Sequence, residues 1–147
     1  MELQLVVFTL AGEDFGVPIE QVREINRLVQ IMAIPQAPRS VLGVINLRGK
    51  IIPVISLRER FGFDRGQNSE ATRIVVSDVA GQTAGFVVDA VTEVLRLDER
   101  AMEAAPQTTV GVDSAFIRGI GKVDDRLIII LDLERVFDFS SLQGLSA

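Results

Sequence analysis

Much of this sequence occurs twice. The segment GEDFGVPIEQVREI, which begins at Gly12, matches GQTAGFVVDAVTEV, which begins at Gly81, with glycines, acids and apolar residues in step at one offset. The segment LGVINLRGK, from Leu42, matches RGIGKVDDR, from Arg118, at a slightly larger offset. The change of offset indicates a longer loop within the second copy. We infer that the chain is internally duplicated.

The two copies are the approximate repeats 3–63 and 72–139, and together they fit a single domain over residues 1–147. At 147 residues the chain has the length of one ordinary domain. Two similar units in one chain suggest a seam between them, and a seam is a natural place for a partner to bind.

Composition and turn spacing favour β-structure. Hydrophobic residues make up 48% of the chain, and valine, isoleucine and leucine far outnumber the aromatic residues. β-Branched side chains fit a pleated, half-buried surface, and many short strands separated by turn signals are typical of barrels and sandwiches. About ten strands in two similar sets predict two small barrels packed side by side.

Apolar runs bounded by turn residues predict the strands. The predicted strands cover residues 3–10, 15–17, 27–34, 44–47, 51–56, 74–79, 84–88, 116–123 and 127–131. Pro18 is predicted to open a short helix in which Ile19, Val22 and Ile25 share one face. The remaining predicted elements are short helices at 57–62 and 133–137, a polar loop at 65–71 and an irregular stretch at 98–113.

Charge and residue types argue against several functions. The net charge of −5 disfavours nucleic acid, which requires a basic surface. The chain has no His and no Cys, so it lacks the commonest general base, the nucleophilic thiolate and the usual transition-metal ligands. Asp124 and Asp125 fall at a predicted hairpin tip, where acids are ordinarily solvated, and the glycines match no phosphate-binding pattern. We therefore expect no catalysis, no metal and no cofactor.

The start of the chain, MELQLVVF, lacks the pattern of a signal peptide, and no apolar run reaches the roughly 20 residues that a membrane helix needs. The absence of cysteine suits a reducing compartment. The expectation is a soluble cytoplasmic domain without direct membrane insertion.

The run GVINLRGKIIPVISLRERF, from Gly43 to Phe61, resembles the signature of the CheW-like chemotaxis coupling proteins. The similarity extends to VREI at 22–25, to GFVVDAVTEVL at 85–95 and to the terminal RGIGKVDDRLIIILDLERVF, so it spans nearly the whole chain. It implies two similar five-stranded SH3-like barrels with a few short helices. It also implies the stand-alone adaptor, because the chain has no room for a phosphotransfer or ATP-binding domain.

What the resemblance implies for function is a non-enzymatic scaffold in chemotaxis signal transduction. Such a scaffold joins the cytoplasmic tips of methyl-accepting chemoreceptors to a CheA-type histidine kinase and transmits receptor control over autophosphorylation. It would act in the cytoplasm, at receptor clusters on the inner face of the membrane.

The resemblance places receptor contacts in a groove between the barrels, where an apolar surface would take the apolar stripe of a receptor helix. Carried over by motif, the groove residues are Val22, Glu24, Ile25, Gly43, Arg48, Gly85, Val91 and Val94. The kinase would use another face, with Ile51 and Pro53 as candidates, because a proline within a strand indicates an edge or a bulge. We also hypothesise an ion pair between Glu24 and Arg48 that organises the groove.

Each of these residues has a plainer interpretation. The four apolar groove residues fit core positions, Gly43 and Gly85 fit turns or bulges, and Arg48 fits a solvated charge at a hairpin end. Two departures from the family pattern also stand out. Ser56 replaces the usual Asp, although both residues cap helices well, and the long loop 103–113 lacks an aromatic anchor.

Three other functions stay open. An adaptor of the same fold could serve a non-flagellar chemosensory pathway that controls twitching motility, development or a second messenger. A small-molecule-binding barrel is a more distant alternative, which a core without a pocket would dismiss. An enzyme is the third.

Overall fold

A computed structural model describes residues 2–104 and 112–138 of the chain. Strands dominate these residues, and short helices accompany them. The strands are β1 (Glu2–Leu10), β2 (Glu13–Pro18), β3 (Val22–Arg27), β4 (Val41–Leu47), β5 (Lys50–Ser56), β6 (Arg73–Val79), β7 (Gln82–Val88), β8 (Ala90–Asp98), β9 (Met102–Glu103), β10 (Ile117–Val123) and β11 (Arg126–Leu131). The helices are α1 (Leu57–Arg60) and α2 (Leu133–Phe137), and 3-10 turns cover Ile19–Gln21, Glu99–Ala101 and Ser114–Phe116.

The strands form two sheets, and each sheet takes strands from both copies. The order is β8-β1-β2-β11-β10-β9 in one sheet, called barrel 1, and β3-β6-β7-β5-β4 in the other, called barrel 2. The first two strands of each copy therefore lie in the same sheet as the last strands of the other copy. Where β2 meets β11, and where β7 meets β5, the ladders are parallel. The predicted fold class, mainly β with two small barrels and a few short helices, is confirmed. The predicted number of five strands holds for barrel 2, whereas barrel 1 has six because the two-residue strand β9 pairs with β10 at its edge.

The two barrels repeat the same cross-strand row. The row consists of an acid, a valine, a glycine, an aliphatic residue and a second glycine, each on a different strand. Its members are Glu24, Val76, Gly85, Val54 and Gly43 in barrel 2 and Glu93, Val7, Gly16, Ile130 and Gly119 in barrel 1. An internal duplication accounts for this repetition.

The largest hydrophobic cluster, the central core, lies between the barrels and joins buried residues of both sheets and both α-helices. Six of the eight phenylalanines form a continuous series of ring contacts, with centroids 5.4–5.8 Å apart, in the order Phe137, Phe86, Phe8, Phe15, Phe61 and Phe116. Each barrel interior holds only a smaller aliphatic cluster. Burial of one phenylalanine stabilises a fold by about 1.5–3 kcal/mol, so the central core fixes the barrels against each other.

Equivalent residues cap the two α-helices. The Ser56 hydroxyl accepts a hydrogen bond from the backbone N–H of Glu59 at 3.2 Å, at the start of α1. The Asp132 carboxylate accepts one from the N–H of Glu134 at 3.1 Å, at the start of α2. Ser56 therefore performs the capping role that Asp132 performs in the second copy.

Arg60 connects the two α-helices across the central core. Its Nε donates to the carbonyl oxygen of Val136 at 2.7 Å, and its Nη2 donates to that of Arg135 at 3.2 Å. The same guanidinium lies 4.7 Å from the ring centroid of Phe116. A cation at these carbonyls, near the C-terminal end of α2, is favourable.

The short helix predicted from Pro18 onwards is confirmed only as a 3-10 turn, and its continuation to Ile25 is wrong. Only the turn Ile19–Gln21 forms, and β3 begins at Val22. Val22 and Ile25 do lie on one face, but it is the face of a bulged strand: they are opposite Ser77 and Val75 of β6, with a bulge between Val22 and Glu24. The ladder between β3 and β6 outweighs the local helical spacing, as tertiary pairing commonly does.

The strand predicted over 27–34 is also wrong. It is replaced by an irregular segment after β3 ends at Arg27, with a single bridge between Met32 and Val44. In the second copy, β8 runs on to Asp98, a strand that the sequence pattern did not reveal. The predicted irregular stretch 98–113 contains a turn and the two residues of β9, and its residues 105–111 lie outside the described residues.

Ser77 provides a test of the central packing. It is fully buried on β6, and its hydroxyl has no hydrogen-bond partner among residues 2–104 and 112–138. We expect Ser77→Ala to raise the free energy of unfolding by about 1 kcal/mol, because a desolvated and unpaired hydroxyl is removed. Denaturant unfolding followed by circular dichroism measures the change.

The matched control is Ser56→Ala. Ser56 is similarly buried, but its hydroxyl caps α1. The free energy of unfolding of this variant is therefore expected to be lower than that of the wild type by about 1 kcal/mol. A Ser77→Ala protein less stable than the wild type would contradict the account.

Candidate functional site

Strands β3 and β8 carry the apolar residues predicted for the groove, at equivalent positions of the two barrels. Val22 and Val91 are half-buried and pack against the central core. Ile25 and Val94 are exposed, with 39% and 53% of their surface accessible. The residues directly opposite Ile25 and Val94, Val75 on β6 and Val6 on β1, belong to the central core. The four residues therefore lie along the seam between the barrels, with two inside it and two at its margin.

Both strands begin where the chain crosses from one barrel to the other. β3 follows the turn Ile19–Gln21 out of barrel 1, and β8 follows Asp89 out of barrel 2. Each strand therefore carries an apolar stripe that starts beside the central core and continues into solvent. Partly exposed apolar surface of this kind is typical of sites that receive an amphipathic helix.

The predicted ion pair between Glu24 and Arg48 is present. Both guanidinium Nη atoms donate to the carboxylate, with Nη1 at 3.3 Å from Oε1. Arg48 reaches Glu24 from the β4–β5 turn, where Arg48 and Gly49 have φ values of 52° and 85°, as a tight hairpin requires. Hydrogen bonds from Arg48 and from Asn26 lower the pKa of Glu24.

The arginine of the Glu24–Arg48 pair is exposed, with 68% of its side chain accessible, whereas 21% of the glutamate side chain is accessible. Exposed pairs contribute little to stability. However, β3 and β4 are the two outer strands of barrel 2, so the pair connects the two edges of that sheet. We infer that it orders the surface rather than stabilising the fold.

Barrel 1 has a counterpart that sequence reasoning missed. Glu93 on β8 corresponds to Glu24 and accepts a hydrogen bond from Arg126 Nη1 at 2.8 Å. Arg126 Nη2 also lies 3.3 Å from Asp14 Oδ2. The hydrogen bond to Glu93 is the main cause that raises the pKa of Arg126. The available signal was the repeated acid, because Arg126 aligns with Lys50 and not with Arg48.

Gly43 and Gly85 face the inside of barrel 2 and not the seam. Gly43 lies at a β-bulge with φ 147°, and a Cβ there would overlap the carbonyl oxygen of Met32. Gly85 lies in a regular ladder, and its Cβ would meet the Ile74 side chain at 3.1 Å. The turn-or-bulge interpretation is therefore confirmed for Gly43 and wrong for Gly85. Their role in receptor binding stays a prediction.

Asp89 joins three segments at the crossover from β7 to β8. It accepts hydrogen bonds from Arg58 Nε at 3.0 Å, from Arg58 Nη2 at 2.6 Å and from the backbone N–H of Ala11 at 2.9 Å. Burial opposes ionisation of this carboxyl, but the hydrogen bonds from Arg58 and Ala11 outweigh it and lower the pKa of Asp89. Because Ala11 belongs to barrel 1 and Arg58 follows barrel 2, the network ties the barrels together.

Ile51 and Pro53, the candidates for the kinase face, lie on β5, which is not an edge strand. β5 lies between β4 and β7, so the edge prediction is wrong for the strand as a whole. Its ladder with β7 covers only 54–56, however, and residues 50–53 pair with β4 alone. A proline is tolerated there because one side of the strand is open. Ile51 is half-buried and Pro53 is buried, and kinase contact by either stays a prediction.

A cavity of about 270 Å³ opens on barrel 2. Its apolar lining includes Ile31, Leu42 and Val87, which pack on the barrel's interior cluster, and Arg58 and Asp89 also line it. A core without a pocket would have dismissed the small-molecule alternative. Because barrel 2 has this cavity, the small-molecule alternative is not dismissed on that ground.

No three metal-ligating side chains come together in the part of the chain that the structure describes. Asp124 and Asp125 occupy the exposed β10–β11 turn, where Asp124 has φ 54°. Within the same residues, no helix has the length and apolar character needed to cross a membrane.

Two barrels that share one core, with apolar stripes along their seam and ion pairs on the surface of each barrel, define a scaffolding or binding protein. Residues 4–140 match the CheW-like domain, and the chain belongs to this family. Its members are scaffold and adaptor proteins of chemotaxis, so the chain is not an enzyme.

Individual relatives agree with this assignment. The chain is 36% identical to the chemotaxis protein CheW of Helicobacter pylori over 134 residues, which cover 91% of this chain and 81% of the relative. It is 33% identical to the chemotaxis protein CheW of Klebsiella aerogenes over 133 residues, or 90% and 80% of the two chains. The crystal structure of the scaffolding protein TtCheW from Thermoanaerobacter tengcongensis matches with a TM-score of 0.89 and 44% identity, covering 100% of this chain and 95% of that one.

The Asp89 network predicts a pH-dependent loss of stability. Asp89→Asn is expected to lower the free energy of unfolding at neutral pH by about 1–2 kcal/mol, because partly screened, charge-assisted hydrogen bonds are removed. Folding lowers the pKa of Asp89. Its contribution is therefore complete above the ordinary aspartate pKa of about 3.9 and is lost as the pH falls through the lowered value.

Denaturant unfolding at a series of pH values measures this. The difference between Asp89→Asn and the wild type is expected to shrink towards zero in acid. Asp125→Asn, in an exposed turn, serves as the control and is expected to leave stability unchanged. A difference that stays constant at every pH would contradict the proposed role of the carboxylate.

Proposed function

We propose that this protein couples chemoreceptors to a CheA-type histidine kinase. The observation that carries the proposal is the pair of apolar stripes on β3 and β8, which flank the seam at equivalent positions. Membership of the CheW-like family supports it. The receptor's cytoplasmic helices would lie along the seam and contact Ile25 and Val94 at its margin and Val22 and Val91 within it.

Apolar contact and charge have different roles in this arrangement. The exposed isoleucine and valine offer the anchors into which a helix's apolar stripe packs. The Glu24–Arg48 pair flanks them at the surface, where charges contribute to register and specificity more than to affinity. Gly43 and Gly85 act through the backbone, because their lack of side chains keeps barrel 2 narrow.

The kinase would bind elsewhere. The first half of β5, with Ile51 and Pro53, has an open side, and an open strand side is a common means of attaching another protein. Separate faces for receptor and kinase allow both to be held at once. A protein with these two partners acts in the cytoplasm, at receptor clusters on the inner face of the membrane.

Arg48→Glu tests the receptor site. The reversal places two carboxylates side by side, so we expect it to abolish receptor binding while kinase binding remains. Co-sedimentation of the protein with a histidine kinase and a trimer-forming receptor fragment from the same source, together with kinase autophosphorylation, gives the readout. The wild type is expected to carry both partners into one pellet and to change kinase activity.

Arg100→Glu is the matched charge reversal, because Arg100 is exposed and pairs only locally with Asp98. It is expected to behave as the wild type. A wild-type protein that binds neither partner would overturn the proposed function. An Arg48→Glu protein that sediments with the receptor as the wild type does would contradict the proposed receptor-binding groove.

Ile51→Lys tests the kinase face. A charge at position 51, in the part of β5 that has only one ladder partner, is expected to reduce kinase binding at least tenfold while receptor binding is retained, because apolar contact is replaced by a desolvated ammonium. Pull-down of each partner alone separates the two effects. Equal loss of both partners would indicate that the strand had been disrupted and would remove the support for this face.

A further inference from the structure

Two arginines lie directly opposite each other at the end of barrel 2. Arg27 on β3 pairs with Arg73 on β6 in an antiparallel ladder. Directly opposite side chains project to the same face of a sheet, with their Cβ atoms about 5 Å apart, and like charges in that position destabilise the pair of strands. Arg27 is exposed and Arg73 is half-buried.

No carboxylate within the described residues forms an ion pair with either arginine. Ten of the thirteen arginines lie in ion pairs. The other arginine outside these pairs, Arg60, donates to carbonyl oxygens of α2, so Arg27 and Arg73 differ from it in lying directly opposite each other. Arg73 Nη1 donates instead to the carbonyl oxygens of Glu70 and Thr72, at 2.7 and 2.8 Å. The chain is acidic, with 20 Asp and Glu against 15 Lys and Arg. Acidic residues that could neutralise these arginines were therefore plentiful in the sequence, yet an excess of positive charge remains at this end of barrel 2.

Barrel 1 supplies an internal comparison. The equivalent cross-strand pair there is Gln4 with Arg96, so only one of the two positions is charged. Arg96 also lies 3.7 Å from Glu2, and the residue equivalent to Glu2 in the second copy is Ala71. The same position is therefore neutralised in one barrel and doubly positive in the other.

Apolar residues surround the two arginines. Ile25 lies on the same face of β3 as Arg27, two residues away, and Leu28 and Val29 are 36% and 43% exposed. An open depression of about 500 Å³ is lined by both arginines and by Leu28. Glu70 lines the same depression, but its carboxylate forms no ion pair with any residue that the structure describes. We call Arg27, Arg73, Leu28 and Val29 the arginine surface.

We propose that the arginine surface binds acidic side chains of the receptor helix that occupies the seam. This inference rests on the proposed function, because it specifies which side chains of the receptor helix bind at that site. Ile25 at the margin of the seam and Arg27 share one strand face, so a helix that covers the first reaches the second within about one turn. The matching sequence is an amphipathic helix with one or two carboxylates about one turn beyond its apolar anchors.

The surroundings favour a protein carboxylate over a free anion. Exposed Leu28 lines the depression with both arginines, and exposed Val29 follows it in the sequence. A helix would cover this apolar surface and a phosphate would not. The net charge of −5 also opposes long polyanions such as nucleic acid. Unpaired like charges that cost stability in the free protein are favourable once an acid lies between them.

The test uses the full chain with glutamine at both positions, Arg27→Gln together with Arg73→Gln. The charge-matched control is Arg96→Gln together with Arg100→Gln, which removes two exposed arginines from barrel 1. Affinity for the trimer-forming receptor fragment is measured at low and high salt, and thermal unfolding is measured alongside. The histidine kinase and inorganic phosphate are tested as alternative ligands.

We expect the double glutamine variant to bind the receptor fragment about tenfold more weakly at low salt, with a smaller salt dependence than the wild type. Its unfolding temperature should change little, since removal of the repulsive pair offsets the loss of the two hydrogen bonds that Arg73 donates to carbonyl oxygens. The control should keep its receptor affinity within about twofold. A purely structural role for the arginines would lower the unfolding temperature instead.

Other results would overturn the proposal in distinguishable ways. If the wild type binds the fragment and the double variant binds equally well, the arginine surface has no role, although the proposed function stands. If the wild type does not bind, the proposed function fails and this inference fails with it. Loss of kinase binding alone, or competition by millimolar phosphate without any change in receptor binding, would assign the surface to another ligand.

Discussion

Every other feature of the molecule depends on the core that the two barrels share. Each small barrel has only a few aliphatic residues inside it, whereas the central core holds the phenylalanine series and both α-helices. Strand exchange strengthens this dependence, because β1 and β2 pair with strands of the second copy, and β6 and β7 with strands of the first. Neither barrel can therefore form without most of the chain. The seam between them is consequently a rigid surface and not a hinge.

A rigid seam explains how so plain a surface can be a binding site. Its apolar residues are few and only partly exposed. They can bind a partner helix only if the two barrels hold them at fixed distances from one another. The Asp89 network and the Arg60 contacts with α2 hold the barrels together beside the central core. The Glu24–Arg48 and Glu93–Arg126 pairs then order the surface of each barrel separately. Packing of the central core fixes the positions of the two barrels, and the ion pairs order the side chains on their surfaces.

The sequence allowed much of this to be predicted, and the failures have physical causes. Repeated glycines and acids revealed two similar units, and the resemblance to the CheW-like family, which assigns Glu24 and Arg48 to one groove, led to the hypothesis of their ion pair. β3 was mistaken for a helix because Val22 and Ile25 are three residues apart, and only the ladder with β6 decides otherwise. The ladder between Arg27 and Arg73 joins residues 46 positions apart, so no local pattern could show it. Contacts made by strand exchange are the least visible from the sequence.

The exchanged strands also bear on how such a chain could arise. With this topology, a half-length ancestor would complete its barrels only by trading strands with a second copy, as an obligate swapped dimer. Fusion of the two halves turns a concentration-dependent assembly into an intramolecular one. It also releases the surface from symmetry, because a homodimer must display every residue twice. The fused chain can keep a doubled positive charge on one barrel and a neutralised charge on the other. The two barrels therefore present different surfaces to a partner.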